Sequence, residues 1–294
     1  MGTLKLPLVV GVDGSESGLE AVDWAVAEAA RHEVPLHLLH AYLWERYEGT
    51  LPGRAADHGS ARLRAEHIVA GAAERARRGN PGIEVTTEVV AQEPAAALLM
   101  AGRNAFALVT GHRGRGELAG ALLGSVGLTV AARAHCPVVV VRGARPAAPD
   151  AFRRVAFGVG DAKDGSAAAE FAFREAEVRH SALHAVRAWR CPAFDLPDMP
   201  VLQGRVPEPH LRAAEEKLYE ALRASSDSHP RVAVRRDPFE GSAREALLTA
   251  AADADLLVVG ARHRNGPFGM QLGPANQAVL HHAPCPVVVV PEPA

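Results

Sequence analysis

The strongest constraint on this chain is an internal repeat. Val10-Gly11-Val12 recurs as Phe157-Gly158-Val159, Leu36-His37 as Leu183-His184, and Trp24-Ala-Val-Ala-Glu28 as Phe171-Ala-Phe-Arg-Glu175, each displaced by 147 positions. Cys136-Pro-Val-Val-Val-Val141 recurs as Cys285-Pro-Val-Val-Val-Val290, displaced by 149. Two copies of one unit fill the 294 residues, and each copy is the size of an ordinary domain. The Pro- and Gly-rich segment Arg142-Gly-Ala-Arg-Pro-Ala-Ala-Pro-Asp150 is the natural connection. The expected division is a first domain over 1–144, a linker over 145–150 and a second domain over 151–294.

Each copy alternates strand-like and helix-like segments. In the first, Leu8–Asp13 is a continuous apolar run closed by an acid, which suits a strand buried on both faces. Ser17–Arg31 carries apolar residues at helical spacing, with Ser17 as its expected cap. A strand over Pro35–Tyr42, a loop over Leu43–His58 and a helix over Ser60–Arg78 follow. A strand over Ile83–Val90, a helix over Glu93–Arg103, a strand over Phe106–Thr110, a helix over Ser125–Ala134 and a strand over Val138–Arg142 complete the copy. The second copy repeats this order. Such alternation predicts an α/β fold of two tandem five-stranded, parallel, doubly wound (Rossmann-like) domains. Ligands of such sheets sit at the carboxyl ends of the strands, which brings Asp13 and Gly111 to one crevice.

Composition narrows the function classes. A net charge of −2, with 22% charged and 48% hydrophobic residues, describes a globular protein with ample core and predicts neither a nucleic-acid nor a membrane partner. No apolar run reaches the roughly 18 residues of a membrane span, and no secretory leader pattern is read at the start. Cys136, Cys191 and Cys285 are odd in number and widely spaced, which predicts a reducing, cytoplasmic setting without a disulfide or zinc framework. His281-His282 reads as a helix end that favours positive charge rather than as a metal site.

The chemistry concentrates between the fourth strand and the fourth helix. Gly111, Gly114, Gly124 and Ser125 form the spacing G-x2-G-x9-G-S. Glycines allow backbone N–H groups to approach an anion, and a helix start supplies unpaired donors and a positive dipole end. The loop is neither a P-loop, since no Gly-Lys-Ser/Thr follows, nor a dinucleotide fingerprint, since the third glycine is missing. His112, Arg113 and Arg115 add positive potential to its mouth or are simply solvated. Asp13, an acid at a strand end, can cap a nearby turn. Ser125 either donates to a phosphate or caps its helix.

Taken in order, the Val-Val-Gly-Val-Asp13-Gly-Ser opening, the Leu-His-Leu-Leu-His40-Ala41 strand, the glycine loop and the closing Cys-Pro-Val-Val-Val-Val strands resemble the universal stress protein family. The resemblance covers essentially the whole chain as a tandem pair. It implies that ATP, with or without Mg, is held by Val12, Asp13, Ala41, Gly111, His112, Arg113, Gly114, Gly124, Ser125 and Val126. Asp13 would face the ribose and the Ala41 backbone the adenine edge. Gly111 and Gly114 would pass ribose and phosphate, and Gly124, Ser125 and the Val126 N–H would bind phosphates. It further implies that the two domains pair through their last strands, with a homodimer as a further possibility and a regulatory protein partner unspecified.

The second copy departs from this pattern. Gly160 stands where Asp13 does, Gly260-Ala-Arg-His263 replaces Gly111-His-Arg-Gly114, and Gly273-Pro274 replaces Gly124-Ser125. Proline removes both a hydroxyl and an N–H donor, so this copy is expected to bind ATP weakly or not at all. The expected function is a cytoplasmic stress-response protein that binds ATP in its first domain and acts as a sensor or interaction module. The alternatives are a slow ATPase or adenine-nucleotide hydrolase, and a nucleotide-free scaffold. No general base and no metal-ligand spacing are legible.

Overall fold

The computed structural model describes residues 5–42, 57–114, 123–142, 151–160, 165–190, 208–262 and 272–292. The first half runs β1 (Leu8–Gly11), α1 (Glu16–His32), β2 (Leu36–Ala41), α2 (Asp57–Gly79), β3 (Val85–Val90), α3 (Pro94–Ala101), β4 (Ala107–Gly111), α4 (Ser125–Arg133) and β5 (Val138–Val141). The second repeats it: β6 (Arg154–Gly158), α5 (Ala167–Val178), β7 (Ala182–Trp189), α6 (Glu208–Ser228), β8 (Val234–Glu240), α7 (Ala243–Ala252), β9 (Leu256–Arg262), α8 (Pro274–His282) and β10 (Val287–Glu292). The loop read over Leu43–His58 falls largely outside the described residues, as do Arg115, Cys191 and His263.

Each half is a five-stranded parallel sheet, ordered β3-β2-β1-β4-β5 and β8-β7-β6-β9-β10. Between them β5 and β10 pair antiparallel, Val139 opposite Val288, so the ten strands form one sheet. The four-valine runs have no exposed edge there; β-branched side chains fill both sheet faces at its centre. The outer strands β3 and β8 carry Thr86, Glu88, Arg235, Asp237 and Pro238, the polar and proline residues that discourage edge pairing.

Helices cover both faces. Alternate strand residues divide between two cores: Leu8 and Val10 pack with α1, α2, α5 and α6, whereas Val9 packs on the face of α3, α4, α7 and α8. Both cores run continuously from one half into the other. Local signals set the helix starts: Glu93 caps α3 ahead of Pro94, and Ser242 with Glu245 forms a capping box on α7. Cys136 and Cys285 are buried, and burial pushes the Cys136 thiol up to about 11. No helix among the described residues is long and apolar enough to cross a membrane.

One polar cluster interrupts the core between α1 and α5. Glu28 and Glu175 are repeat-related, as are His32 and Arg179, and all four side chains meet in the interior. His32 Nε2 lies 2.9 Å from Glu175 Oε1 and 3.6 Å from Glu28 Oε1. Arg179 Nε donates to Glu175 Oε2 at 3.1 Å while its Nη2 donates to Glu28. Burial alone would raise Glu28, but Arg179 and His32 overcome it and hold its carboxyl well below the usual range. Glu175, wholly buried and facing Glu28, is pushed up.

Burial opposes charge on His32, yet hydrogen bonds to Glu175 and Glu28 raise it from 6.5 to about 9. With the folded pKa above the unfolded one, this stabilisation is complete below about pH 6.5 and is lost as pH rises through about 9. The unfolding free energy is expected to fall by about 2 kcal/mol between neutral pH and about pH 10. Urea unfolding across this range should show the decline in the wild type and lose it in His32→Gln; an equal slope in both would remove His32 as its source.

Candidate functional site

The sheet registers bring the expected residues to one level. β1 pairs with β2 at an offset that sets Leu8 opposite Leu36, and with β4 so that Leu8 faces Ala107. Continued past the last pairs, these registers put Asp13, Ala41 and His112 side by side at the carboxyl ends of three adjacent strands. Val12 is buried, its N–H donates to the Leu39 carbonyl at 3.0 Å, and its carbonyl lies 2.6 Å from His40 Nδ1.

Asp13 Oδ1 accepts from Ser15 N (2.9 Å) and Ser15 Oγ (2.6 Å). Ser15, not Ser17, caps α1, its Oγ accepting from Gly18 N. Ser17 falls two residues further on, where its hydroxyl does something else: it accepts from Arg113 N–H at 3.2 Å and lies 3.0 Å from His112 Nδ1. Burial, with the Arg142 and Arg113 charges beside it, holds His112 below the usual histidine range. The first turn of α1 is thus tied to the loop that leaves β4.

Two glycines of that loop are there for close approach. A Cβ on Gly111 would come 2.5 Å from the Ser17 carbonyl oxygen, so only glycine lets α1 and β4 meet as they do. A Cβ on Gly114 would stand 2.8 Å from Asp13 Oδ2, so the loop backbone passes directly over this carboxylate. At the far end Gly124 N–H donates to the His112 carbonyl at 2.9 Å. Gly124 is the N-cap of α4 in extended conformation, with no side-chain cap bond, and Ser125 is the first helical residue. The opening N–H groups of a helix have no intrahelical acceptor, so the α4 start, carrying the Ser125 hydroxyl, can receive an anion.

The second half differs in one further respect. β10 continues two residues past the valine run, and Glu292 folds onto the start of α5. Its Oε2 accepts from Ala167 N–H at 3.1 Å and its Oε1 from Ala168 N–H at 2.8 Å. A cavity of about 170 Å³ beside it is lined by Gly160, Ala188, Gly260, Arg262 and Asn276 among others. A carboxylate of the chain itself therefore neutralises a helix start at that crevice. The signal lay in the repeat: Gly143 stands at the matching position of the first copy.

His281 also departs from its expected role. Its Nδ1 accepts from Leu123 N–H at 2.9 Å, and burial together with His282 and Arg142 holds it below the usual histidine range. It is a neutral acceptor rather than a cation at a helix end. Among the described residues the grouping with metal-ligand proximity is Glu28, His32 and Glu175, where Arg179 already bonds both carboxylates. That guanidinium takes the place a bound cation would need.

The fold is that of an α/β protein with Asp13, Gly114 and the start of α4 gathered at the carboxyl edge of its first half. The universal stress protein family matches residues 7–142 and 151–291, and the chain belongs to that family. A universal stress protein of Mycobacterium tuberculosis is 32% identical over 303 residues, covering 97% of this chain and 95% of its own. One from Mycolicibacterium smegmatis is 32% identical, with 96% of each chain covered. A universal stress protein structure from Archaeoglobus fulgidus shares the fold, with a TM-score of 0.71 at 18% identity over 98% of this chain and 99% of that one.

Proposed function

We propose that this chain binds ATP in the crevice of its first domain (1–144), that the second domain (151–294) does not, and that the protein acts in the cytoplasm as a nucleotide-dependent sensor or interaction module. One contrast carries the reading. In the first half an uncapped helix start, Gly124-Ser125-Val126, sits at the end of a loop whose other end passes over Asp13. In the second half the α5 start is closed by Glu292, and Pro274 begins α8. A triphosphate needs donors: at the α8 start, which matches α4, Pro274 offers neither the hydroxyl nor the N–H of Ser125, and at the α5 start Glu292 occupies two amides.

In this assignment Asp13 Oδ2 faces the ribose, and backbone at Val12 and Ala41 borders the adenine. Gly111, His112, Arg113 and Gly114 form the wall over ribose and phosphates, and Gly124, Ser125 and Val126 hold the phosphates, with Mg where it accompanies them. Binding without efficient turnover follows from the side chains at hand: Asp13 Oδ1 is held by Ser15, and His112 Nδ1 by Ser17. Neither is poised to activate a water. A homodimer would have to use a surface other than the blunted sheet edges at β3 and β8.

Calorimetric titration is expected to give one tightly bound ATP per chain, and mass spectrometry of ligand released on denaturation to identify an adenine nucleotide. Two tight sites per chain would overturn the asymmetry. Steady ATP hydrolysis that disappears in Asp13→Ala would overturn the binding-only reading.

A further inference from the structure

Three backbone N–H groups tie down the described ends of the glycine loop. Arg113 N–H bonds Ser17 Oγ, and Gly124 N–H bonds the His112 carbonyl, both within the first half. The third tie comes from the other half: Leu123 N–H donates to His281 Nδ1, in the last turn of α8. Beside it the Arg142 guanidinium, one residue past β5, donates to the Leu280 carbonyl of the same turn. Leu123 immediately precedes Gly124, so holding its peptide sets the direction in which the first amides of α4 point.

His281 is half-buried in the last turn of α8. The matching position in α4 is Ala132, which offers no acceptor, so the contact has no counterpart on the second crevice. This asymmetry is independent of the glycine, serine and proline differences, and it points the same way.

We propose that His281 is a positioning residue lent by the second half to the phosphate loop of the first, so that the nucleotide site is completed across the two copies. The proposal rests on the ATP reading of the first crevice. It gives the second copy a role that does not require a ligand of its own. The charged and titratable groups acting on His281 are His282 on its own helix and Arg142 from the end of β5, while His112 and Arg113 lie on the loop it supports. Protonation would convert the Leu123 acceptor into a donor and break the tie.

The test uses the full chain with His281→Ala, which removes the acceptor, and His281→Asn, whose amide oxygen restores it without titrating. ATP affinity by calorimetry near neutral pH is expected to fall about five- to tenfold in the alanine variant and to stay within about twofold in the asparagine variant. On acidification to about pH 5.5 the wild type should lose affinity relative to His281→Asn. Unchanged affinity in His281→Ala overturns the proposal. Amide exchange at Leu123 without nucleotide, slow in wild type and His281→Asn and fast in His281→Ala, reads the contact alone. A wild type that binds no ATP yet keeps this protection overturns the site reading, and the positioning role with it.

Discussion

Ser125→Pro is expected to weaken ATP binding by about 100-fold, the loss of two hydrogen bonds to charged phosphate oxygens at about 1.5 kcal/mol each. Proline there removes the hydroxyl and the N–H together, yet the helix should tolerate it. Ser125 is the first residue of α4, where proline suits the backbone, and Gly124 before it has φ −63° and ψ 151°, the extended conformation a following proline requires. The protein already contains the control: α8 begins with Pro274 after Gly273 at φ −61° and ψ 160°. The variant is thus the second half's own solution moved into the first. Calorimetry should show the affinity loss while the urea midpoint stays within error of wild type. Affinity within about threefold of wild type would mean that Ser125 and its amide do not hold the phosphates.

Arg179→Ala is expected to destabilise the fold by about 3–5 kcal/mol, the range for removing one partner from a buried ion pair. Glu28 is 3% and Glu175 0% exposed, so neither carboxylate can turn to water once the guanidinium is gone. The Trp24 ring, 5.9 Å from the Arg179 Cζ, would lose its cation as well. Arg31, which reaches Glu28 at 3.2 Å from a more accessible position, is the comparison, and its alanine variant should cost about 1 kcal/mol or less. Equilibrium urea unfolding decides the matter. Equal, small costs for both arginines would show that α1 and α5 rely on their apolar contacts and not on the cluster.

The sequence made the layered architecture legible because the signals that carry it are local. Period-2 and period-3.6 patterns give strands and helices, glycine spacing marks the loop at Gly111–Gly124, and the repeat supplies the second half without further reasoning. Ser15 and Ser17 show where local signals run out. Both residues suit a cap, and the choice between them is made by Asp13 on one side and His112 on the other. Glu292, His281 and the Glu28–His32–Glu175–Arg179 cluster bond partners more than 120 residues away in sequence, so no window along the chain shows them. A trace did exist. Glu28 and Glu175 are equivalent charged residues on the apolar faces of equivalent helices, and a charge kept on a buried face in both copies announces a partner.

The antiparallel join of β5 with β10 makes the strands of the two halves run in opposite directions, so their carboxyl edges open at opposite ends of the sheet. A symmetric pair of identical units built on this plan would carry every substitution at both ends. One covalent chain is released from that symmetry: its ends can diverge, and α8, about 13 Å long at 1.5 Å per residue, runs between them. Its first turn borders the cavity of the second half through Ala275 and Asn276, and its last turn touches the loop of the first. The molecule therefore has a head and a tail, and a partner approaching along the sheet would meet a different surface at each end.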